Sequence, residues 1–218
     1  MTTRPTITGP CIIVGNGPSV DEVSPAMWSQ LGTTYIGTNR CLVLAACLHV
    51  PWTAIVMRDS YRSMFGDQDV GWRYHQECWI PSAAYKVGSS HDRSVHCDEY
   101  AKQSDPWHAE PTFTADREMR VMKNSSVVLM AASWAWLCGA RDLRLIGVDY
   151  RSPHHARMIE PWQSAPLHNI GHYDRPVPTG IERQFKAAVD GIEAGGGTIV
   201  NYSANTKLGA VPCADLPQ

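Results

Sequence analysis

The segment from residue 11 to residue 22 constrains the fold more than any other. Cys11-Ile12-Ile13-Val14 is an apolar, mostly β-branched run that stops abruptly at Gly15-Asn16-Gly17-Pro18-Ser19. Such a run, bounded by a Gly-Asn-Gly turn, predicts a buried strand. Pro18 suits the first turn of a helix, and Asp21 and Glu22 suit its positive end. A buried strand that feeds a helix opens a βα unit, and its two apolar faces demand parallel neighbours and helices on both sides.

The later pattern supplies them. Strands are predicted at 33–37, 53–57, 143–148 and 198–202. Helices are predicted over 40–48, over 125–137 with Asn124 or Ser125 as its cap and Gly139 as its stop, and over 182–194 before Gly195-Gly196-Gly197. Between 61 and 122 no period is clear, apart from a strand near Trp79-Ile80. Prolines 153, 161, 166, 176 and 178 make 151–180 a loop, and a loop that long in a compact domain reads as a lid. The expectation is one α/β domain over 1–218, Rossmann-like, with a mostly parallel sheet, helices on both faces and a Pro-rich lid.

Composition narrows the partners. A net charge of −2 and a pI near 6.5 give no global attraction for nucleic acid or an anionic membrane, so an anionic ligand must be held by local geometry. Seven scattered cysteines without a C-x-x-C pair read as small core hydrophobes in a reducing compartment. The longest apolar run, 42–50, is too short to span a membrane, and the N-terminus lacks a signal pattern. A cytoplasmic protein is expected, and a homo-oligomer is compatible with all of this.

Strand, glycine loop and helix start together form the geometry of a phosphate cradle, in which backbone amides meet an anion. The loop lacks the Gly-Lys-Ser/Thr ending of a P-loop, so ATP hydrolysis of that type is not expected. Ligands of such sheets bind beyond the carboxyl ends of the strands, where this reading gathers Asn16, Asn39, Asp59 and Asp149, with Asn124-Ser125-Ser126 at another helix start. His168 and His172 have the spacing of a metal pair on a helix, but here they lie in a loop and no carboxylate or cysteine completes a set. A histidine over a nucleotide site is the better candidate for a general base.

These segments together resemble the bacterial lipooligosaccharide sialyltransferases of glycosyltransferase family 42 and the wider DUF115-like group. That group includes motility-associated flagellin glycosyltransferases and archaeal 6-hydroxymethylpterin diphosphokinases. Ile13-Val14-Gly15-Asn16-Gly17-Pro18-Ser19-Val20 resembles the family's opening strand and donor loop. Thr38-Asn39-Arg40, Ala54-Ile55-Val56, Asn124-Ser125-Ser126-Val127 and Leu145-Ile146-Gly147-Val148-Asp149-Tyr150 resemble successive later segments. Ile170-Gly171-His172 resembles the triplet that carries the catalytic base, and 201–208 resembles the terminal strand and turn.

The resemblance implies glycosyl transfer from a nucleotide sugar without a metal. Gly15, Asn16, Gly17, Pro18, Ser19, Asn39, Ser125, Ser126 and Asp149 would form the donor pocket, with His172 as base. Where the sialyltransferases carry tyrosines that assist phosphate departure, Tyr150 is followed here by Arg151-Ser152-Pro153-His154-His155. Arg151, with Tyr150 nearby, or one of the two histidines would take that role as a cation. The alternatives are a Mg²⁺-dependent diphosphokinase acting on a pterin-like alcohol, with Asp59 and Asp149 as metal ligands, and a non-catalytic nucleotide-binding protein. The acceptor is left open among glycan, protein, small molecule and modified nucleic-acid base.

Overall fold

The computed structural model describes residues 3–44, 51–58, 73–79, 82, 84–89, 97–103, 113, 122–123, 126–151 and 176–217. Eight strands form one sheet: β1 (Cys11–Val14), β2 (Thr34–Thr38), β3 (Ala54–Met57), β4 (Tyr85–Ser89), β5 (Glu99–Gln103), β6 (Met122–Lys123), β7 (Asp142–Ile146) and β8 (Thr198–Asn201). Their order is β6-β5-β4-β3-β2-β1-β7-β8, and every pair is parallel. The fold is therefore the Rossmann-like α/β arrangement expected from the opening segment.

Alternation along β1 shows why the first strand is apolar throughout. Cys11 and Ile13 enter one core with helices α2 (Val127–Leu137) and α3 (Thr179–Ala194). Ile12 and Val14 enter the other, with Trp28 and Leu31 of helix α1 (Pro25–Leu31) and with Tyr74 and Trp79. Successive side chains of a strand point to opposite faces, so two covered faces need two apolar sets. Helix α2 is buried from Val128 through Leu137, which fits a sequence apolar all round.

Several expectations need correction. The helix after the glycine loop is a single 3₁₀ turn, Pro18–Glu22, and the α-helix begins only at Pro25 with Ser24 as its cap. The helix expected over 40–48 is a 3₁₀ segment, Asn39–Leu44, and 45–50 lie outside the described residues. Trp79 ends a π-helical stretch, His75–Trp79, instead of starting a strand. The cap of α2 is Ser126, whose hydroxyl accepts from the Val128 amide at 3.2 Å. Strands β4, β5 and β6 fall in the region whose period was unreadable. The 151–180 lid reading lies outside the described residues, except Arg151 and 176–180. Six cysteines (11, 41, 78, 97, 138 and 213) are free thiols, and no helix among the described residues is long and apolar enough to cross a membrane.

Candidate functional site

Strand order reverses at β1, whose chain successor β2 lies on one side while β7 lies on the other. At such a reversal the loops leaving the two strands diverge to opposite faces and open a crevice at their carboxyl ends. Here the β1 loop, 15–19, and the β7 loop, 147–151, meet across that crevice.

The meeting explains the glycines. The Gly15 amide donates to the Ile146 carbonyl at 2.7 Å, and the Gly17 amide to the Gly147 carbonyl at 2.8 Å, so the pairing of β1 with β7 continues into the loops. A Cβ at Gly17 would lie 2.7 Å from the Gly147 oxygen and would strike the Asp149 carboxylate; one at Gly15 would strike the Gly147 carbonyl. Gly147 itself has φ +73°, a left-handed conformation that glycine adopts without strain. Close approach of backbone to backbone requires both loop glycines, whatever ligand they also meet.

Ser19 and Asp149 lock the crossing. The Ser19 hydroxyl donates to Asp149 Oδ2 at 2.9 Å and accepts the Gly147 amide at 3.0 Å, while the Ser19 amide reaches the same Oδ2 at 3.3 Å. Asp149 Oδ1 takes Arg151 Nε at 3.4 Å, and Arg151 reaches across to Glu22 Oε1 at 2.9 Å. Burial is the largest influence on the Asp149 carboxyl and raises its pKa; the Ser19 hydrogen bonds and Arg151 oppose it.

Expected cradle donors are therefore already in use: the amides of Gly15, Gly17 and Ser19 as above, and that of Val20 by the Gly17 carbonyl at 3.2 Å. Pro18 has no amide hydrogen. Asn16 remains, half-buried, with a backbone amide that has no partner among the described residues. Among the described residues of this loop, the Asn16 amide is thus the donor left free, and the Arg151 guanidinium stands at the same edge on Asp149 and Glu22.

Neighbouring elements hold this edge rigid. The β7 loop is braced from the far side by Ser203, whose hydroxyl accepts the Val148 amide at 2.8 Å, by Asn201 and Thr206, which both donate to the Val148 carbonyl, and by the Lys207 amide on the Asp149 carbonyl. That bracing sustains Tyr150 at φ +51°, a conformation costly for a bulky residue, with its ring edge-on to Phe185. Asn39, also left-handed at φ +49°, accepts the Arg58 amide on its Oδ1 and the Tyr74 hydroxyl on its carbonyl, so its predicted ligand role competes with a bracing one. The Cys41 thiol lies 2.9 and 2.8 Å from the Val14 and Gly15 carbonyls, and burial pushes its pKa up to about 12. Arg40 is a buried cation on the same edge.

Of the predicted site, the structure brings together Gly15, Asn16, Gly17, Pro18, Ser19, Asp149, Tyr150 and Arg151. Asn39 sits at the end of β2 and Ser126 at the head of α2, on the same carboxyl edge of the sheet. Ser125 and His172 lie outside the described residues, as do Asp59, His154, His155 and His168. Sequence reasoning missed Glu22 as the partner of Arg151, and Cys41, Ser203 and Thr206 as braces. Only the last two had a signal, in the turn after the final strand.

Fold and site together define a Rossmann-like α/β domain whose first and seventh strands cradle a crevice at the point of strand reversal. Among solved structures, the MAf glycosyltransferase from Magnetospirillum magneticum AMB-1 is similar, with a TM-score of 0.60 at 15% identity. The alignment covers 97% of this chain and 34% of that one, so this chain spans about a third of that protein's length. At this identity the likeness shows the fold. No protein-family model and no curated protein sequence matches the chain.

Proposed function

We propose that this domain transfers a sugar from a nucleotide-sugar donor to an acceptor hydroxyl, without a metal. One observation carries the reading: a guanidinium, Arg151, is held at the mouth of the crevice at the strand reversal by a loop that Ser19, Asp149 and the terminal turn fix in place. A cation fixed where a departing diphosphate or monophosphate gathers charge stabilises it without reorganising. The glycosyltransferase fold of the similar structure and the motif order read from the sequence both support this class over a passive nucleotide binder.

In this mechanism the donor lies across the carboxyl ends of β1 and β7. The Asn16 amide and Arg151 meet its phosphate; Gly15, Gly17, Pro18 and Ser19 set the loop that presents them. Ser126, with Ser125 before it, takes ribose hydroxyls at the head of α2, and Asn39 closes the β2 side. Tyr150, its ring edge-on to Phe185, precedes Arg151 in the loop and supports its place there. His172 removes the acceptor proton as the sugar moves.

The test is turnover of a panel of CMP-, UDP-, GDP- and ADP-linked sugars, by transfer or by slow hydrolysis, with and without EDTA. One donor is expected to be consumed at a rate that EDTA leaves unchanged. Complete loss of turnover in EDTA, restored by Mg²⁺, overturns the metal-free mechanism, and no turnover of any donor beside tight nucleotide binding overturns catalysis.

A further inference from the structure

Among the described residues, Gln184 is the buried carboxamide with neither polar atom partnered; the indole N–H groups of Trp28, Trp52 and Trp134 are buried without a partner as well. Gln184 is 0% exposed, and among the described residues neither its Nε2 nor its Oε1 has a hydrogen-bond partner. Leaving a buried amide unpaired costs about 1–3 kcal/mol, so such a group is kept for a reason or is a fault in the core.

Its place is fixed by helical period. Gln184, Ala188, Gly191 and Gly195 follow one stripe along α3 and just past its end. Gly191 faces Phe113, which packs edge-on to Trp136 of α2, and a Cβ on Gly195 would strike the Trp136 ring. This stripe therefore faces α2. Both helices lead from the carboxyl edge of one parallel strand back to the start of the next, so they run in the same direction. Trp136 stands beside the end of α3, and the shared direction of the two helices puts Gln184 towards the head of α2. Its neighbour Phe185 packs edge-on to Tyr150 of the β7 loop, so this turn of α3 lies towards the edge that holds the crevice.

We infer that Gln184 reads the base of the donor nucleotide. A carboxamide presents one donor and one acceptor side by side in a plane, the complement of a nucleobase edge that carries an adjacent acceptor and donor. With ribose at Ser126, the base extends between α2 and α3, where Gln184 offers an uncharged polar group. Its present cover must part to admit the base, and the hydrogen bonds then offset the cost of the unpaired amide. The inference rests on the nucleotide-donor reading and adds to it the residue that selects among bases.

The test compares the parent with Gln184→Met, similar in length and without hydrogen-bonding groups, by calorimetry with CMP, UMP, GMP and AMP and by thermal melting. The parent is expected to prefer one base. Gln184→Met should bind that nucleotide about tenfold or more weakly, with the preference flattened and with a Tm no lower than the parent's, since bidentate pairing gives about 1–3 kcal/mol of discrimination. Unchanged affinity with a raised Tm would make Gln184 a core fault and overturn the inference. Should the variant fail to fold, the parent decides: methylating the hydrogen-bonding edge of the preferred base should weaken binding by a similar factor, and equal affinity overturns the assignment. A parent that binds none of the four sinks the nucleotide reading itself, a different result from a parent that binds and ignores Gln184.

Discussion

Burial lifts the pKa of Asp149, and the hydrogen bonds from Ser19 with the charge of Arg151 restrain that rise. In the unfolded chain the same carboxyl has its ordinary value, about 3.9. A folded pKa above the unfolded one means that the native state holds the proton more tightly. The stability this group contributes is full below the unfolded value and is lost as pH rises through the folded value. Asp149→Asn removes the titration and keeps an oxygen for Ser19, at the cost of setting an amide against Arg151. The difference in stability between variant and parent should therefore move in the variant's favour as pH rises from about 3 upward, levelling off above the folded pKa. Chemical denaturation across that range measures it. A difference that is flat with pH, or that moves the other way, would show that the carboxylate is held at or below its ordinary pKa.

At the scale of elements, the link between the 3₁₀ turn Pro18–Glu22 and the β7 loop is the ion pair of Glu22 and Arg151. In the proposed mechanism, phosphate and Glu22 compete for one guanidinium. Exposed or half-exposed pairs are worth about 0.2–1 kcal/mol, so Glu22→Gln should tighten donor affinity by up to about fivefold, whereas Arg151→Gln should weaken it and depress kcat. Calorimetry with the donor checks both, and a Glu22→Gln variant that binds more weakly would mean the pair supports the site. The elements themselves were legible where the chain is apolar and periodic: β1, β2, β3, β7, α2 and β8 follow from short β-branched runs and capped apolar stretches. Strands β4 and β5 were not, because Tyr85-Lys86-Val87-Gly88-Ser89 and Glu99-Tyr100-Ala101-Lys102-Gln103 carry charge and glycine, and it is pairing with neighbours that makes them strands. The loop of residues 15–19 was legible as a tight turn at the crevice. Its amides were read as free for phosphate because the sequence does not reveal that the β7 loop would cross there and engage them.

On the scale of the whole molecule, donor and acceptor must approach from different sides of one crevice, which separates the steps that a variant can damage. In our proposal, the edge formed by β1, β7 and the head of α2 belongs to the donor. The acceptor side belongs, in our proposal, to the segment that carries Ile170-Gly171-His172. A base that faces the acceptor hydroxyl changes the rate of transfer and leaves the donor's affinity nearly untouched. Loss of a positioned general base costs about 10²–10⁴-fold, so His172→Ala should lower kcat by about 10² or more with donor affinity unchanged by calorimetry. His168→Ala, four residues earlier, should cost far less. The pH profile separates a base from a structural histidine: the parent's kcat should rise with pH along one limb, and His172→Ala should lose that limb. The reverse ranking of the two variants would move the base to His168. Equal and severe losses accompanied by stoichiometric bound metal would make the pair ligands, and the metal-free transfer would have to be abandoned.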